Sequence, residues 1–278
     1  MRERSELLRR AQRHAVWRVR RTLTVAVDAL RRGDRTVVMT PPVGLRFGNW
    51  MYLWLHAHRA SRAGAPTRVL EAPGMGPWTQ AFPGLGSLTV ASSGVRFHDR
   101  RTWDHEYRYQ RFGVDFTADE VDSFVREMIA PHVPSARAGT LVVNVRRGDY
   151  YTGGAQDRFG FDQVGYIGAA LKIAPRADLI TVVSDDPEWC RTNLDRLLAD
   201  VARRVEFAEP DPVANFLQIA GARSIIGTNS TFSYWGAHVA VAIQPDARII
   251  MPRFHARLDG GSDAYQLDPR WKVIGGFH

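Results

Sequence analysis

From residue 140 onward, the sequence alternates between short β-type runs and helical segments of about ten residues. The β-type runs lie at 140–145, 179–183, 204–207, 224–227 and 248–251, and the last of these is the final strand that we predict. Helices are predicted between them at 163–172, 187–199, 212–221 and 234–242. Strands and helices that alternate in this way predict a parallel sheet with right-handed crossovers, and therefore an α/β fold.

The first half of the chain predicts a smaller α/β unit of its own. It opens with strand-like, turn and helical segments at 36–40, 44–49 and 50–60, and adds strands at 68–70 and 87–90 and a helix at 119–132. Prolines and a glycine then interrupt the pattern between residues 131 and 139. Since such residues mark connections between structural units, we predict domains at 36–138 and 139–278.

Residues 1–35 form a separate basic segment. They hold 11 arginines against four acidic residues, so most of the formal net charge of +8 lies there. Apolar residues recur at steps of three or four between residues 8 and 30, which predicts one amphipathic helix. The pattern is compatible with packing on the protein's own body, on a second subunit, or on an anionic membrane surface. Without a convincing signal sequence, we predict a cytoplasmic protein, with the inner face of the membrane as the alternative.

Composition excludes several other classes of protein. The single cysteine, Cys190, excludes a disulfide scaffold, and no HExxH, Walker A or GxGxxG motif is present. Because the excess positive charge is confined to one helix and no aromatic-basic RNA module is visible, we predict no nucleic-acid partner. The sequence does not indicate an oligomeric state.

Three polar clusters follow predicted strands of the second half. They are RRGDY at 146–150, SDD at 184–186 and TNSTFS at 228–233. In open parallel sheets, ligands bind at the carboxyl ends of the strands. We therefore expect the three clusters to lie along one edge of the sheet and to form a ligand site.

The RRGD tetrapeptide occurs twice and has two interpretations. At 31–34 it ends the basic helix, whereas at 146–149 it follows a strong strand. There, two arginines suit a diphosphate, Gly148 permits a tight turn, and Asp149 would orient an arginine or accept a bond from a substrate hydroxyl. The alternative is a surface turn closed by an Arg–Asp ion pair.

The other two clusters also leave alternatives open. TNSTFS precedes a helix, where free N–H groups favour an anion, or where Ser233 or Thr231 is simply the helix cap. SDD suits a divalent metal, a nucleobase edge, or a cap by Asp186 on the helix that begins at Pro187.

Taken in order, four segments resemble those of one family, the α-1,2-fucosyltransferases of glycosyltransferase family 11. GLRFGNWMY is similar to the family's GGLGNQMFQ-type opening, and NVRRGDY is similar to its HVRRGDY signature. VVSDDPEW and IIGTNSTFSYWGAHVA resemble its SDDxxW and IIANSTFSWWGAWL segments. The resemblance extends over residues 43–278.

This resemblance implies a GT-B-like architecture, in which two Rossmann-like domains face a cleft. The first domain would hold the acceptor and the second the nucleotide sugar. It also implies GDP-fucose as the donor, no metal ion or other cofactor, inversion at the anomeric carbon, and the 2-OH of galactose in a glycan as the acceptor.

The resemblance also implies roles for individual residues. Arg146 and Asp149 would carry the chemical step, with Arg146 on the donor diphosphate, and Asn49 would line the cleft from the acceptor side. The donor site would include Asn144, Arg146, Arg147, Asp185 as a guanine contact, Ser230, Thr231 and Phe232. The catalytic base remains open among Asp149, Asp157 and Asp162.

Two positions depart from the family pattern. Asn144 stands where the family has histidine, so this side chain can form hydrogen bonds but cannot titrate near neutral pH. Trp50 stands where the family has glutamine, and we expect it to add bulk to the cleft. The leading hypothesis is thus a metal-independent fucosyltransferase. The alternatives are transfer from another nucleotide sugar, a sugar-binding relative without turnover, and, least favoured, a protein that binds nucleic acid or a membrane surface.

Overall fold

A computed structural model describes residues 36–103, 109–135 and 139–278. The predicted basic helix at 1–35 lies outside the described residues. The predicted domain boundary at 138/139 falls beside the undescribed segment 136–138 and stays a prediction. Among the described residues, no helix is both long enough and apolar enough to cross a membrane.

The first half of the described chain builds a parallel sheet of four strands in the order β3-β2-β1-β4. Its elements are β1 (Val37–Met39), α1 (Phe47–Arg62), β2 (Thr67–Leu70), α2 (Gly76–Ala81), α3 (Pro83–Ser87), β3 (Thr89–Val90), β4 (Arg100–Thr102) and α4 (Ala118–Met128). The strand predicted at 87–90 is shorter than expected because Ser87 ends a helix. The helix predicted at 119–132 ends at Met128, and a 3-10 turn follows at Ala130–His132.

The second half builds a parallel sheet of six strands in the order β12-β9-β8-β5-β6-β7. Its elements are β5 (Thr140–Val145), α5 (Gln156–Phe159), α6 (Gln163–Leu171), β6 (Ala177–Ser184), α7 (Pro187–Ala199), β7 (Ala202–Phe207), α8 (Pro212–Ala220), β8 (Ser224–Ile226), α9 (Thr231–Ile243), β9 (Arg248–Pro252), β10 (Phe254–Leu258), β11 (Gly261–Asp263) and β12 (Lys272–Ile274). The predicted α/β class with two parallel sheets, as a GT-B-like fold requires, is confirmed.

The prediction that 248–251 is the final strand was wrong. Three strands follow it, of which β10 and β11 form an antiparallel hairpin and β12 joins the large sheet beside β9. The strand β12 has three residues and a single neighbour, so its sequence carries too little apolar periodicity to be recognised.

The order of the strands locates a switch point in the large sheet. From β5 the chain proceeds to β6 and β7 on one side, and then returns to place β8 and β9 on the other side of β5. Crossovers that leave in opposite directions open a crevice at the carboxyl ends of the two strands where the direction changes. The carboxyl ends of β5 and β8 are therefore the expected ligand position.

Helix α9 joins the two halves of the molecule. It is buried from Ser233 to Ala242, and most of its buried residues are apolar, as expected for a helix surrounded by protein. Trp235 packs against Tyr52 of α1 and Phe124 of α4, whereas Tyr234 belongs to the core on the large sheet. Any displacement of α9 would therefore be transmitted to both sheets.

Two buried histidines should make the stability of the fold depend on pH. Burial lowers the pKa of both His238 and His255 to about 4. In the unfolded chain each takes up a proton near pH 6.5. Between pH 6.5 and 4 the unfolded state therefore binds more protons than the folded state. The free energy of unfolding is highest above pH 6.5 and falls as the pH drops towards 4, by about 3 kcal/mol for each histidine.

This expectation can be checked by urea unfolding at a series of pH values from 7.5 to 4.5. The variant His255→Gln should flatten the profile, whereas His98→Gln, which removes an exposed histidine, should leave it unchanged. A free energy of unfolding that is constant between pH 7 and 5 would contradict the assignment.

Candidate functional site

A cavity of about 100 Å³ lies at the predicted switch point. Three segments form it: the end of β5, the end of β6, and the start of α9, with the loop before α8 closing one side. Its lining residues are Asn144, Val145, Arg146, Val183, Ser184, Asp185, Pro210, Pro212, Asn215, Ser230 and Phe232. The three polar clusters predicted from the sequence therefore all contribute to one site.

Arg146 supplies a guanidinium group to this cavity. Its Nη2 donates to Asp149 Oδ1 at 2.5 Å, and its Nη1 lies 2.8 Å from Asp185 Oδ2. Its backbone oxygen accepts a bond from Gln163 Nε2 at 2.8 Å. With 24% of the side chain exposed, the guanidinium is oriented by two carboxylates but remains accessible to a ligand. The N–H groups of Arg146 that these carboxylates leave unengaged can donate to an anion such as a phosphate.

Asp185 organises the loop that carries Arg146. Its Oδ1 accepts a bond from the backbone N–H of Arg147 at 2.8 Å, while its Oδ2 pairs with Arg146. A Cβ atom at Gly148 would lie 2.3 Å from this Oδ2, so a glycine is required where the loop crosses the carboxylate. Both oxygens of Asp185 thus contact the arginine loop, and its role as a guanine contact stays a prediction.

Arg147 lies beside the cavity and does not line it. Its guanidinium carbon lies 3.6 Å from the ring centroid of Tyr151 and 4.1 Å from that of Trp189, so the side chain is held between two aromatic faces. Such cation–π contacts stabilise a loop. Asp149 and Thr231 also lie outside the lining, although Asp149 reaches the site through its ion pair with Arg146.

Two residues that line the cavity carry a buried amide oxygen with no hydrogen-bond partner. Asn144 donates from Nδ2 to the backbone oxygen of Val183 at 3.0 Å, which leaves its Oδ1 unpaired. The Oδ1 of Asn215 is unpaired as well, and each residue is 6% exposed. Buried acceptor atoms almost always have a hydrogen-bond partner, so a ligand that donates N–H or O–H groups would supply the missing bonds to these two oxygens.

Sequence reasoning missed Pro210, Pro212 and Asn215. They belong to the loop and first turn of α8, which Asp211 caps by accepting bonds from Val213 N and Ala214 N. The available signal was a polar residue, Asn215, inside the otherwise apolar run VANFL. That signal becomes informative only when the fold places α8 beside β5 and β6.

The amino ends of two helices meet beside the cavity. Ser230 caps α9 by accepting a bond from Phe232 N at 3.3 Å, so the predicted cap by Ser233 or Thr231 was wrong. Gly48, in the first turn of α1, packs so closely that a Cβ there would lie 2.6 Å from Phe232 N. Arg46 makes no side-chain cap on α1. Both helix ends carry partial positive charge, which favours a bound anion.

Asn49 and Trp50 take different positions on α1. Asn49 is half-buried, and its Oδ1 accepts a bond from Gln110 Nε2 at 2.9 Å. Trp50 is 5% exposed and belongs to the first hydrophobic core, so the expectation that it adds bulk to the cleft was wrong. Successive residues of a helix point about 100° apart, which separates the two side chains.

Two of the remaining acidic residues are helix caps. Asp186 accepts a bond from Trp189 N at 3.0 Å, as the alternative for the SDD cluster predicted, and Asp162 accepts one from Gly165 N at 2.9 Å. Asp157 lines a separate surface depression with Tyr151 and Arg257. In the part of the chain that the structure describes, no group of three or more His, Cys, Asp or Glu side chains is arranged to hold a metal ion.

Residues 89–255 match the sequence model of glycosyl transferase family 11. The chain belongs to this family. The matched region contains the whole lining of the cavity, from Asn144 to Phe232. The α1 segment with Gly48 and Asn49 precedes it, so the contact between α1 and α9 comes from the structure alone.

Curated relatives of this family 11 member are galactoside fucosyltransferases of mammals. Galactoside alpha-(1,2)-fucosyltransferase 1 of Saimiri sciureus is 31% identical over 63% of this chain and 52% of that protein. Galactoside alpha-(1,2)-fucosyltransferase 2 of Mus musculus is 29% identical over 45% of this chain and 37% of that protein. The chain therefore spans about half or less of the length of these relatives.

Among solved structures, the family 11 chain aligns with POFUT1 in complex with GDP. The alignment covers 78% of this chain and 74% of that chain, at 12% identity and a TM-score of 0.34. POFUT1 in complex with GDP-fucose aligns with a TM-score of 0.26 at 11% identity.

Proposed function

We propose that this protein is an inverting glycosyltransferase that moves L-fucose from GDP-fucose to the 2-OH of galactose in a glycan. Its membership of glycosyl transferase family 11 and its similarity to galactoside alpha-(1,2)-fucosyltransferases support the reaction class. The proposal includes a nucleotide sugar and a glycan as partners and requires no metal ion.

The choice of donor rests on one observation: Arg146 and two asparagines whose amide oxygens are unpaired line the same cavity. Arg146 provides the cation for a diphosphate, and Asn144 and Asn215 provide the two acceptors. Guanine carries adjacent N–H donors on its ring and its amino group, whereas uracil has one N–H between two carbonyl oxygens. Guanine therefore has an N–H donor for each of the two oxygens, whereas uracil has one donor for both.

The chemical step follows from the charge that develops on the leaving group. The acceptor hydroxyl oxygen attacks the anomeric carbon, the bond from that carbon to the β-phosphate oxygen breaks, and its electron pair remains on GDP. Arg146 and the adjoining amino ends of α1 and α9 stabilise this growing negative charge more than they stabilise the ground state. Inversion results because attack and departure occur on opposite faces.

Asp149 is the carboxylate that we assign to the acceptor proton. It is 51% exposed and lies 2.5 Å from Arg146, so it adjoins the departing phosphate without being a helix cap. Asp162 is engaged with Gly165 N, and Asp157 lines the surface depression on the other side of Tyr151. Because GDP is a good leaving group, the acceptor hydroxyl needs little assistance from a base.

The test is a thermal-shift panel combined with a transfer assay. GDP-fucose and GDP-mannose should both raise the melting temperature, because they share guanine and the diphosphate, while UDP- and dTDP-sugars should not. Fucose should appear on a galactose-terminated acceptor from GDP-fucose alone, and EDTA should leave the rate unchanged.

The variant Asn144→Val tests whether the thermal shift arises from binding in this cavity. It removes the unpaired oxygen, together with the bond from Nδ2 to Val183, and introduces a β-branched side chain that suits strand β5. It should weaken GDP binding by about tenfold in affinity. Stabilisation by UDP-sugars instead of GDP-sugars would overturn the choice of donor. Stabilisation by GDP-fucose without transfer would show a binding protein and overturn the proposed activity.

A further inference from the structure

Hydrogen bonds link three carboxamide side chains, two of them buried, in a row that ends at the half-buried Asn49. Gln110 donates from Nε2 to Asn49 Oδ1 at 2.9 Å, and its own Oε1 accepts a bond from Gln266 Nε2 at 3.3 Å. Gln110 is 2% exposed and Gln266 is fully buried. Because a carboxamide has a donor end and an acceptor end, these hydrogen bonds all run in one direction, from Gln266 to Gln110 to Asn49.

The direction of these hydrogen bonds determines which end of the Asn49 carboxamide remains available to a ligand. Its Oδ1 is turned towards Gln110, so its Nδ2 is turned away as a hydrogen-bond donor. Asn49 follows Gly48, whose backbone packs on Thr231 and Phe232 at the start of α9. Phe232 lines the donor cavity. Asn49 therefore lies one residue from the contact between α1 and α9, and Gln110 leaves its Nδ2 end unengaged.

The segment that carries Gln110 is held in an unusual conformation. Tyr109 has a φ of 63°, and it is the one non-glycine residue with positive φ among the described parts of the chain. Its ring stacks on that of His56 at 3.8 Å, and Phe112 N donates to the backbone oxygen of Tyr265 at 2.9 Å, beside Gln266. Such a conformation persists only where surrounding contacts enforce it, often next to functional groups.

We propose that Gln110 is a positioning residue that holds the Nδ2 of Asn49 as a donor towards an oxygen of the acceptor sugar. The inference rests on the proposed fucosyl transfer and adds a determinant of acceptor binding to it. Gln110 itself touches no substrate; it sets the polarity that Asn49 presents. Gln266 in turn keeps Gln110 from rotating, because its Nε2 requires the Oε1 of Gln110.

The variant Gln110→Glu tests the polarity directly. A glutamate still accepts the bond from Gln266, but it cannot donate to Asn49, so the Asn49 carboxamide turns over and presents Oδ1 in place of Nδ2. The variant Asn49→Asp presents an oxygen in the same direction while Gln110 stays intact. Both should raise KM for the acceptor at least tenfold, leave KM for GDP-fucose within about twofold, and keep the thermal shift with GDP.

Two further variants separate positioning from a general effect on the fold. Gln110→Met removes both bonds and should raise the acceptor KM, whereas Gln266→Met leaves the bond to Asn49 and should have the smaller effect. If Gln110→Glu and Gln110→Met are folded and keep the wild-type acceptor KM, or if all variants lose the GDP shift equally, positioning by Gln110 is overturned. A wild-type protein that binds GDP-fucose but transfers no fucose would overturn both this inference and the proposed function, and would be recognised before any variant is made.

Discussion

Replacing Arg146 with methionine should lower kcat/KM for GDP-fucose by about 10³-fold while the protein remains folded. Methionine is a long, unbranched side chain like arginine, but it removes the charge and all five donors of the guanidinium. The loss should fall mainly on kcat, because the leaving diphosphate carries more negative charge in the transition state than in the bound donor. Initial rates at varied GDP-fucose, together with the melting temperature, measure the two effects separately.

The conservative replacement Arg146→Lys sharpens this expectation. Lysine keeps the charge but cannot contact Asp149, Asp185 and a phosphate with one planar group, so it should restore only part of the activity. The exposed Arg196→Met serves as the matched control and should leave both kcat and the melting temperature unchanged. Wild-type turnover by a folded Arg146→Met protein would remove Arg146 from the mechanism.

Elements with strong local signals could be predicted from the sequence with little error. The bounds of β5 and α7 were predicted to the residue. Strand β5 is mostly apolar and lies in the middle of a parallel sheet, and α7 begins at Pro187 after the capping Asp186. The alternation of strands and helices alone also predicted that the three polar clusters lie at the same edge of the sheet.

Features that depend on contacts between distant segments could not be predicted in this way. Trp50 stands inside a motif associated with the cleft, but the rotation of the helix directs it into the core and leaves Asn49 half-buried. Asn215 and Gln110 are single polar residues in unremarkable stretches of sequence, and they acquire a role only where the fold brings them to Asn144 and Asn49. The motifs therefore predicted residues that lie close to the site, but the contacts of each side chain could not be predicted without the three-dimensional structure.

The packing of α1 against α9 depends on the absence of a side chain at Gly48. A Cβ atom there would lie 2.5 Å from Thr231 Oγ1, 2.6 Å from Phe232 N and 2.7 Å from the carbonyl carbon of Thr231. Two of these three atoms are backbone atoms at the start of a helix that is buried between both sheets. They cannot move by a change of rotamer, so an added methyl group must separate the amino ends of the two helices.

Gly48→Ala should therefore reduce both stability and transfer. We expect a loss of about 1–3 kcal/mol in the free energy of unfolding from overpacking, and a fall of about 10²-fold in kcat/KM, because Phe232 and Asn49 move together with the displaced helix ends. Gly76→Ala is the matched control: it lies in the first turn of α2 and a Cβ there has nothing within 4 Å, so both quantities should stay at wild-type values. Urea unfolding and initial rates on the two variants decide the matter. If Gly48→Ala is as stable and as active as Gly76→Ala, α1 and α9 do not meet at this point. The positive ends of the two helices would then not act jointly on the leaving diphosphate.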